Sequence, residues 1–128
     1  MLPAVGGLET ILFAEDDADI RRIVSEVLRL EGYTVLDAID GEDAIRILHE
    51  NKGRINLALL DVRMPKKDGK EVYDEIRRIS PDTRSLFISG YTADVIDSKE
   101  FSELGLNFIS KSATPEEILC KIREIINS

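Results

Sequence analysis

The sequence predicts an α/β domain built on a doubly wound, five-stranded parallel sheet, and three observations carry that expectation. Five short apolar runs, at 10–14, 33–36, 56–60, 84–88 and 106–109, recur along the chain with helical patterns between them. The runs are apolar almost throughout instead of alternating, which is the pattern of strands covered on both faces. Parallel neighbours need crossovers, and a helix between each pair of strands supplies the crossover and the cover together. A chain of 128 residues, 43% hydrophobic and 33% charged, suits one domain of ordinary size.

Each element has its own signature. After β1 (10–14), Ile20, Ile23, Val24, Val27 and Leu28 repeat at helical spacing while Arg21, Arg22, Glu26 and Arg29 take the other face, so α1 is amphipathic and ends near Gly32. After β2 (33–36), Asp40 is a candidate N-cap for α2, which carries Ala44, Ile45 and Leu48 inward and dissolves over 51–53, with His49 on the surface. After β3 (56–60), α3 spans about 68–79 with Val72, Ile76 and Ile79 on one face, and Ser80-Pro81-Asp82 stops it before β4 (84–88). The segment 92–104, α4, is weakly periodic and poorly capped, with Val95, Ile96, Phe101 and Leu104 scattered, and predicts no more than a short helix. Beyond β5 (106–109), α5 is the clearest: Thr114 caps, Pro115 takes the first position, Glu117 completes a capping box, and Ile118, Leu119, Ile122, Ile125 and Ile126 form a stripe. Residues 1–8, with Gly6-Gly7, read as a leader or linker remnant, leaving 9–128 as the folded domain.

Charge narrows the functions. With 25 acidic against 17 basic residues the net charge is -8, a balance that repels phosphate backbones and anionic lipid, so direct nucleic-acid binding and membrane contact are not expected. No apolar stretch approaches the ~20 residues of a spanning helix, and no signal peptide opens the chain. A lone Cys120 makes neither an internal disulfide nor a zinc site, and a cytoplasmic location is the expectation.

In open parallel sheets, ligands collect beyond the carboxyl ends of the strands. The residues that follow the apolar runs are Glu15-Asp16-Asp17, Asp61, Ser89-Gly90 and Ser110-Lys111. Carboxylates gathered at one rim either take up protons or bind a cation, and an oxygen-only set favours Mg2+ over zinc. Beside such a cation Asp61 would be a nucleophile toward a phosphoryl group, with Lys111 and the Ser89 hydroxyl on its remaining oxygens. An acidic helix N-terminus alone explains Glu15 to Asp17, because the helix dipole favours it. It does not explain Asp61, which ends the buried run Ile55-Asn56-Leu57-Ala58-Leu59-Leu60.

In order along the chain, Ile11-Leu12-Phe13-Ala14-Glu15-Asp16-Asp17, Leu59-Leu60-Asp61-Val62-Arg63-Met64-Pro65 with Asp68-Gly69, Phe87-Ile88-Ser89-Gly90-Tyr91-Thr92 and Phe108-Ile109-Ser110-Lys111 resemble the receiver domain of two-component response regulators, including the receivers of hybrid sensor histidine kinases. The resemblance implies a flavodoxin-like sheet of order 2-1-3-4-5 and phosphorylation of Asp61 from a phosphohistidine of a sensor histidine kinase or a histidine phosphotransfer domain, with Mg2+, or Mn2+ in its place. It implies metal ligation by Asp16 and Asp61, by Glu15 largely through water and by the Arg63 backbone carbonyl. Ser89 and Lys111 match the phosphoryl-binding pair, and Ser89 and Phe108 the switch that re-forms the α4-β5-α5 face; Phe108 fits plain core packing equally well. Arg63 and Tyr91 match positions that flank the phosphoryl group and tune its lifetime. A dimer through α4-β5-α5 is one arrangement the resemblance allows and a monomer the other.

The largest departure is Lys111-Ser112, where the family usually has Lys-Pro with a cis peptide. Without proline the cis form costs ~3–4 kcal/mol, so the bond is either trans with a displaced loop or cis and held by its surroundings. Activation is then expected to be slower or less complete, and Ser112→Pro to speed it. Two other functions compete. A Mg2+-dependent phosphohydrolase would need a general acid two residues beyond Asp61, where Arg63 stands. A receiver-like interaction module working without phosphorylation is the alternative that the missing proline supports. The expectation is a phosphoacceptor that assists its own phosphorylation and dephosphorylation, not an enzyme acting on external substrates.

Overall fold

A computed structural model describes residues 7–90 and 106–128. Five parallel strands, β1 (Thr10–Ala14), β2 (Thr34–Ala38), β3 (Leu57–Asp61), β4 (Arg84–Ser89) and β5 (Asn107–Ser110), form one sheet in the order β2-β1-β3-β4-β5. The helices are α1 (Ala18–Leu30), α2 (Gly41–Glu50), α3 (Gly69–Ile79) and α5 (Pro115–Asn127). The α4 segment and Tyr91 lie outside the described residues.

Two-sided burial follows from strand alternation. On one face Leu12 and Ala14 of β1, Ala58 and Leu60 of β3, and Phe87 of β4 pack with Ala44 and Leu48 of α2 and Val72 and Ile76 of α3. On the other face Ile11 and Phe13, Leu57 and Leu59, and Leu86 and Ile88 pack with Leu28 of α1 and Ile118, Leu119, Ile122 and Ile125 of α5. A near-continuous apolar strand therefore serves two cores at once.

The caps hold where the sequence places them. Asp40 accepts from Asp43 N–H at 2.8 Å, and Thr114 and Glu117 form the capping box of α5 with Pro115 at its start. Asp68 caps α3 in a second box with Glu71. The apolar stripe of α1 is only partly used: Leu28 is buried but Ile23 is 51% exposed, while the inward position of Ser25 is buried against β2, its hydroxyl 2.5 Å from Asp37. No helix among the described residues is long and apolar enough to cross a membrane.

Register levels the strand ends. Ala14 stands opposite Leu60, Asp61 opposite Ile88 and Ser89 opposite Ser110. Glu15, Asp61, Ser89 and Lys111, each at or just past the end of its strand, thus share one rim.

Candidate functional site

Asp61 is the last residue of the central strand and is 3% exposed, with Glu15 fully buried beside it. Carboxylate oxygens of Glu15, Asp16 and Asp61 lie within 4.8 Å of one another. Into this cluster reaches Lys111, whose ammonium donates to Glu15 Oε1 at 2.9 Å and Asp61 Oδ2 at 3.0 Å. The other Asp61 oxygen accepts the Arg63 N–H at 3.2 Å, which fixes the carboxylate plane. Four groups from three separate parts of the sequence are brought together, and Asp17 is not among them: its side chain accepts from the N–H groups of Asp19 and Ile20 as the N-cap of α1.

Electrostatics set the character of the cluster. Burial, followed by the neighbouring Asp61, pushes Glu15 up to about 8. Burial also raises Asp16, helped by the charge of Asp61 and opposed by a hydrogen bond to its own backbone. Burial alone would lower the Lys111 ammonium, but its hydrogen bonds to Glu15 and Asp61 outweigh that and hold it above the ordinary lysine value. When all three acids are ionised, one lysine leaves two negative charges uncompensated. Glu15 Oε2 is buried with no hydrogen-bond partner, a costly arrangement for a carboxylate oxygen. An oxygen-only donor set, an orphaned buried oxygen and a double negative excess fit a hard divalent cation.

Ser89, 5% exposed, closes β4 on the same rim, and its carbonyl accepts the Lys111 N–H at 2.8 Å. Phe108 is half-buried against the core on the α2-α3 face. Arg63 is exposed in the loop between β3 and α3. The described residues hold no cis peptide, so Lys111–Ser112 is trans, and the lysine still reaches both carboxylates. Of the two geometries open for this bond, it is the trans one, without loss of the Lys111 contact.

Two supporting residues escape the sequence reading. Arg21, on the polar face of α1, donates to the Glu15 carbonyl at 2.7 Å and steadies the backbone of the acidic turn. Gly41 opens α2, and a Cβ there would overlap the Lys67 carbonyl oxygen of the β3–α3 loop, so only glycine allows that approach. A glycine directly after an N-cap aspartate, Asp40-Gly41, was the available signal.

A doubly wound sheet with a carboxylate cluster and a lysine beyond the strand ends defines an α/β domain with an acidic site at its strand ends. The family model of the response regulator receiver domain matches residues 11–123, and the chain belongs to that family. It is 29% identical over 122 residues to the sensor kinase CckA of Brucella abortus (strain 2308), covering 95% of this chain and 13% of that protein. A receiver domain protein from Clostridium thermocellum superposes with a TM-score of 0.86 at 26% identity, covering 94% of this chain and 95% of that one. The receiver domain of the hybrid histidine kinase CckA gives a TM-score of 0.77 at 32% identity, covering 91% and 98%. The chain spans about half the length, or less, of the curated relatives it matches. Receiver domains are signalling modules of two-component systems that bind Mg2+ at an acidic pocket and interact with histidine kinases or phosphotransfer partners.

Proposed function

We propose that this chain is a phosphoacceptor receiver that takes a phosphoryl group from a phosphohistidine onto Asp61. The carrying observation is the Lys111 ammonium 3.0 Å from Asp61 Oδ2, with Asp61 buried at the end of the central strand. In the transfer an Asp61 carboxylate oxygen forms the new bond to phosphorus while the bond from phosphorus to the donor imidazole nitrogen breaks, and the electron pair leaves with the imidazole. Lys111 loses a carboxylate partner as Asp61 becomes an acyl phosphate, and its ammonium is then available to the phosphoryl oxygens. The Ser89 hydroxyl, on the same rim, supplies a further donor. Glu15, Asp16, Asp61 and the Arg63 carbonyl would hold Mg2+ or Mn2+, which supplies positive charge to offset that of the phosphoryl group.

Added charge at Asp61 is the signal. Ser89 and Phe108 are the residues through which it would reach the α4-β5-α5 face, and Arg63 and Tyr91 those that would set its lifetime. The donor would be a sensor histidine kinase or a histidine phosphotransfer domain in the cytoplasm, with 9–128 as the receiver. The likeness to a hybrid kinase receiver supports this reading.

The test is intact mass after incubation with a small-molecule phosphodonor, with and without Mg2+, for wild type and Asp61→Asn. One labile phosphoryl group that needs both Mg2+ and Asp61 is expected. No adduct under conditions that label a control receiver would instead support an interaction module independent of phosphorylation.

A further inference from the structure

The loop that delivers Lys111 is tied by Ser110. Its hydroxyl accepts the Ser112 N–H at 3.1 Å and lies 2.8 Å from the Ser112 hydroxyl, while its carbonyl accepts the Ala113 N–H at 3.0 Å. With the Lys111 N–H on the Ser89 carbonyl at 2.8 Å, every backbone N–H from 111 to 113 has a fixed partner. A serine hydroxyl that bonds an N–H two residues on is a local turn lock. It acts here on the N–H of Ser112, which a proline at that position would lack.

We infer that Ser110 is a positioning residue for Lys111, its side chain holding the trans Lys111–Ser112 turn so that the ammonium meets Asp61 and Glu15. The inference rests on the proposed phosphoacceptor role of Asp61 and names a residue that role does not require. Ser110 is exposed and touches no reacting atom, so it acts only through where the loop sends the lysine. On this account Ser112→Pro, which deletes the bonded N–H, slows phosphoryl uptake and does not speed it.

Two readouts test it on the whole chain. In the first, NMR of the Lys111 ammonium is compared in metal-free wild type, Ser110→Ala and Ser110→Thr. The signal is expected to move toward that of a free lysine in Ser110→Ala and to return in Ser110→Thr, which keeps the hydroxyl. In the second, the rate of phosphoryl uptake from a small-molecule phosphodonor with Mg2+ is measured for the same variants, for Lys111→Ala and for the Ser110→Ala, Lys111→Ala double variant. Ser110→Ala is expected to slow uptake about three- to tenfold, the worth of one hydrogen bond. In the Lys111→Ala background the same change should slow it no further, because the two act as one unit. Equal slowing in both backgrounds, or an unmoved Lys111 signal in Ser110→Ala, overturns the inference. A wild type that takes up no phosphoryl group removes the phosphoacceptor reading, and the ammonium signal still decides the placing of Lys111.

Discussion

At the scale of single residues, the acidic cluster is where charge and burial conflict. Glu15 is fully buried, one of its oxygens has no partner, and its proton is held up to about 8. In the unfolded chain the same carboxyl titrates near 4.5. Between those values the folded state binds more protons than the unfolded one, so stability falls as pH rises through the window. Asp16, also raised by burial, contributes with the same sign. The metal-free domain should therefore melt at lower temperature at pH 8 than at pH 5.5, and Glu15→Gln should flatten that slope. Added Mg2+ should raise the melting temperature more at pH 8 than at pH 5.5, since the cation and the proton compete for the same oxygens. Thermal unfolding followed by circular dichroism across that range reads both effects.

Among the elements, the loop between β3 and α3 shows how neighbours hold a site. It turns at Lys66, whose φ of 70° is unusual for a residue with a side chain, and whose ammonium lies 3.7 Å from Asp40 and 3.8 Å from Glu42. Its Lys67 carbonyl rests where Gly41 has no Cβ. Gly41→Ala must push this loop away, and with it the Arg63 backbone. A loss of about 1–3 kcal/mol in urea unfolding is expected, together with weaker Mg2+ binding by titration calorimetry. Thr114→Ala is the contrasting case, because it removes the N-cap of α5 and leaves the rim untouched. It should cost about 1 kcal/mol, with Mg2+ affinity unchanged.

For the whole molecule, one sheet supports two cores, so a defect in a central strand is felt across the domain. Leu59 is fully buried in the core shared with α1 and α5, two residues before Asp61 on the same strand. Leu59→Ala should cost about 2–5 kcal/mol through lost contacts and a cavity. Denaturant unfolding should show a lower midpoint with an unchanged slope if the domain stays cooperative. The same packing anchors Asp61, whose strand is flanked on both sides by paired neighbours.

The order of five apolar runs and their intervening helices was legible in the sequence because burial on both faces leaves a continuous apolar run, a local and unambiguous mark. So were the caps at Asp40 and Thr114, which depend on residues three apart. Asp61, Glu15, Asp16, Ser89 and Lys111 could be named because each stands just past such a run, and parallel strands end at one rim. What the sequence left open needed distances between remote segments. Asp16 and Asp17 are adjacent and chemically alike, and the resemblance chose Asp16; the fold supplies the physical reason, because Asp17 caps α1 while Asp16 joins the cluster. Only the fold turns Ile23 of α1 toward solvent and Ser25 inward, because the neighbouring Asp37 of β2 offers the hydroxyl a partner. Where the Lys111 ammonium comes to rest was likewise decided by tertiary contacts: the Ser89 carbonyl across the sheet holds its N–H, and two carboxylates 50 and 96 residues away along the chain hold its side chain. Local pattern sets which residues reach the rim, and long-range packing sets which of them meet there.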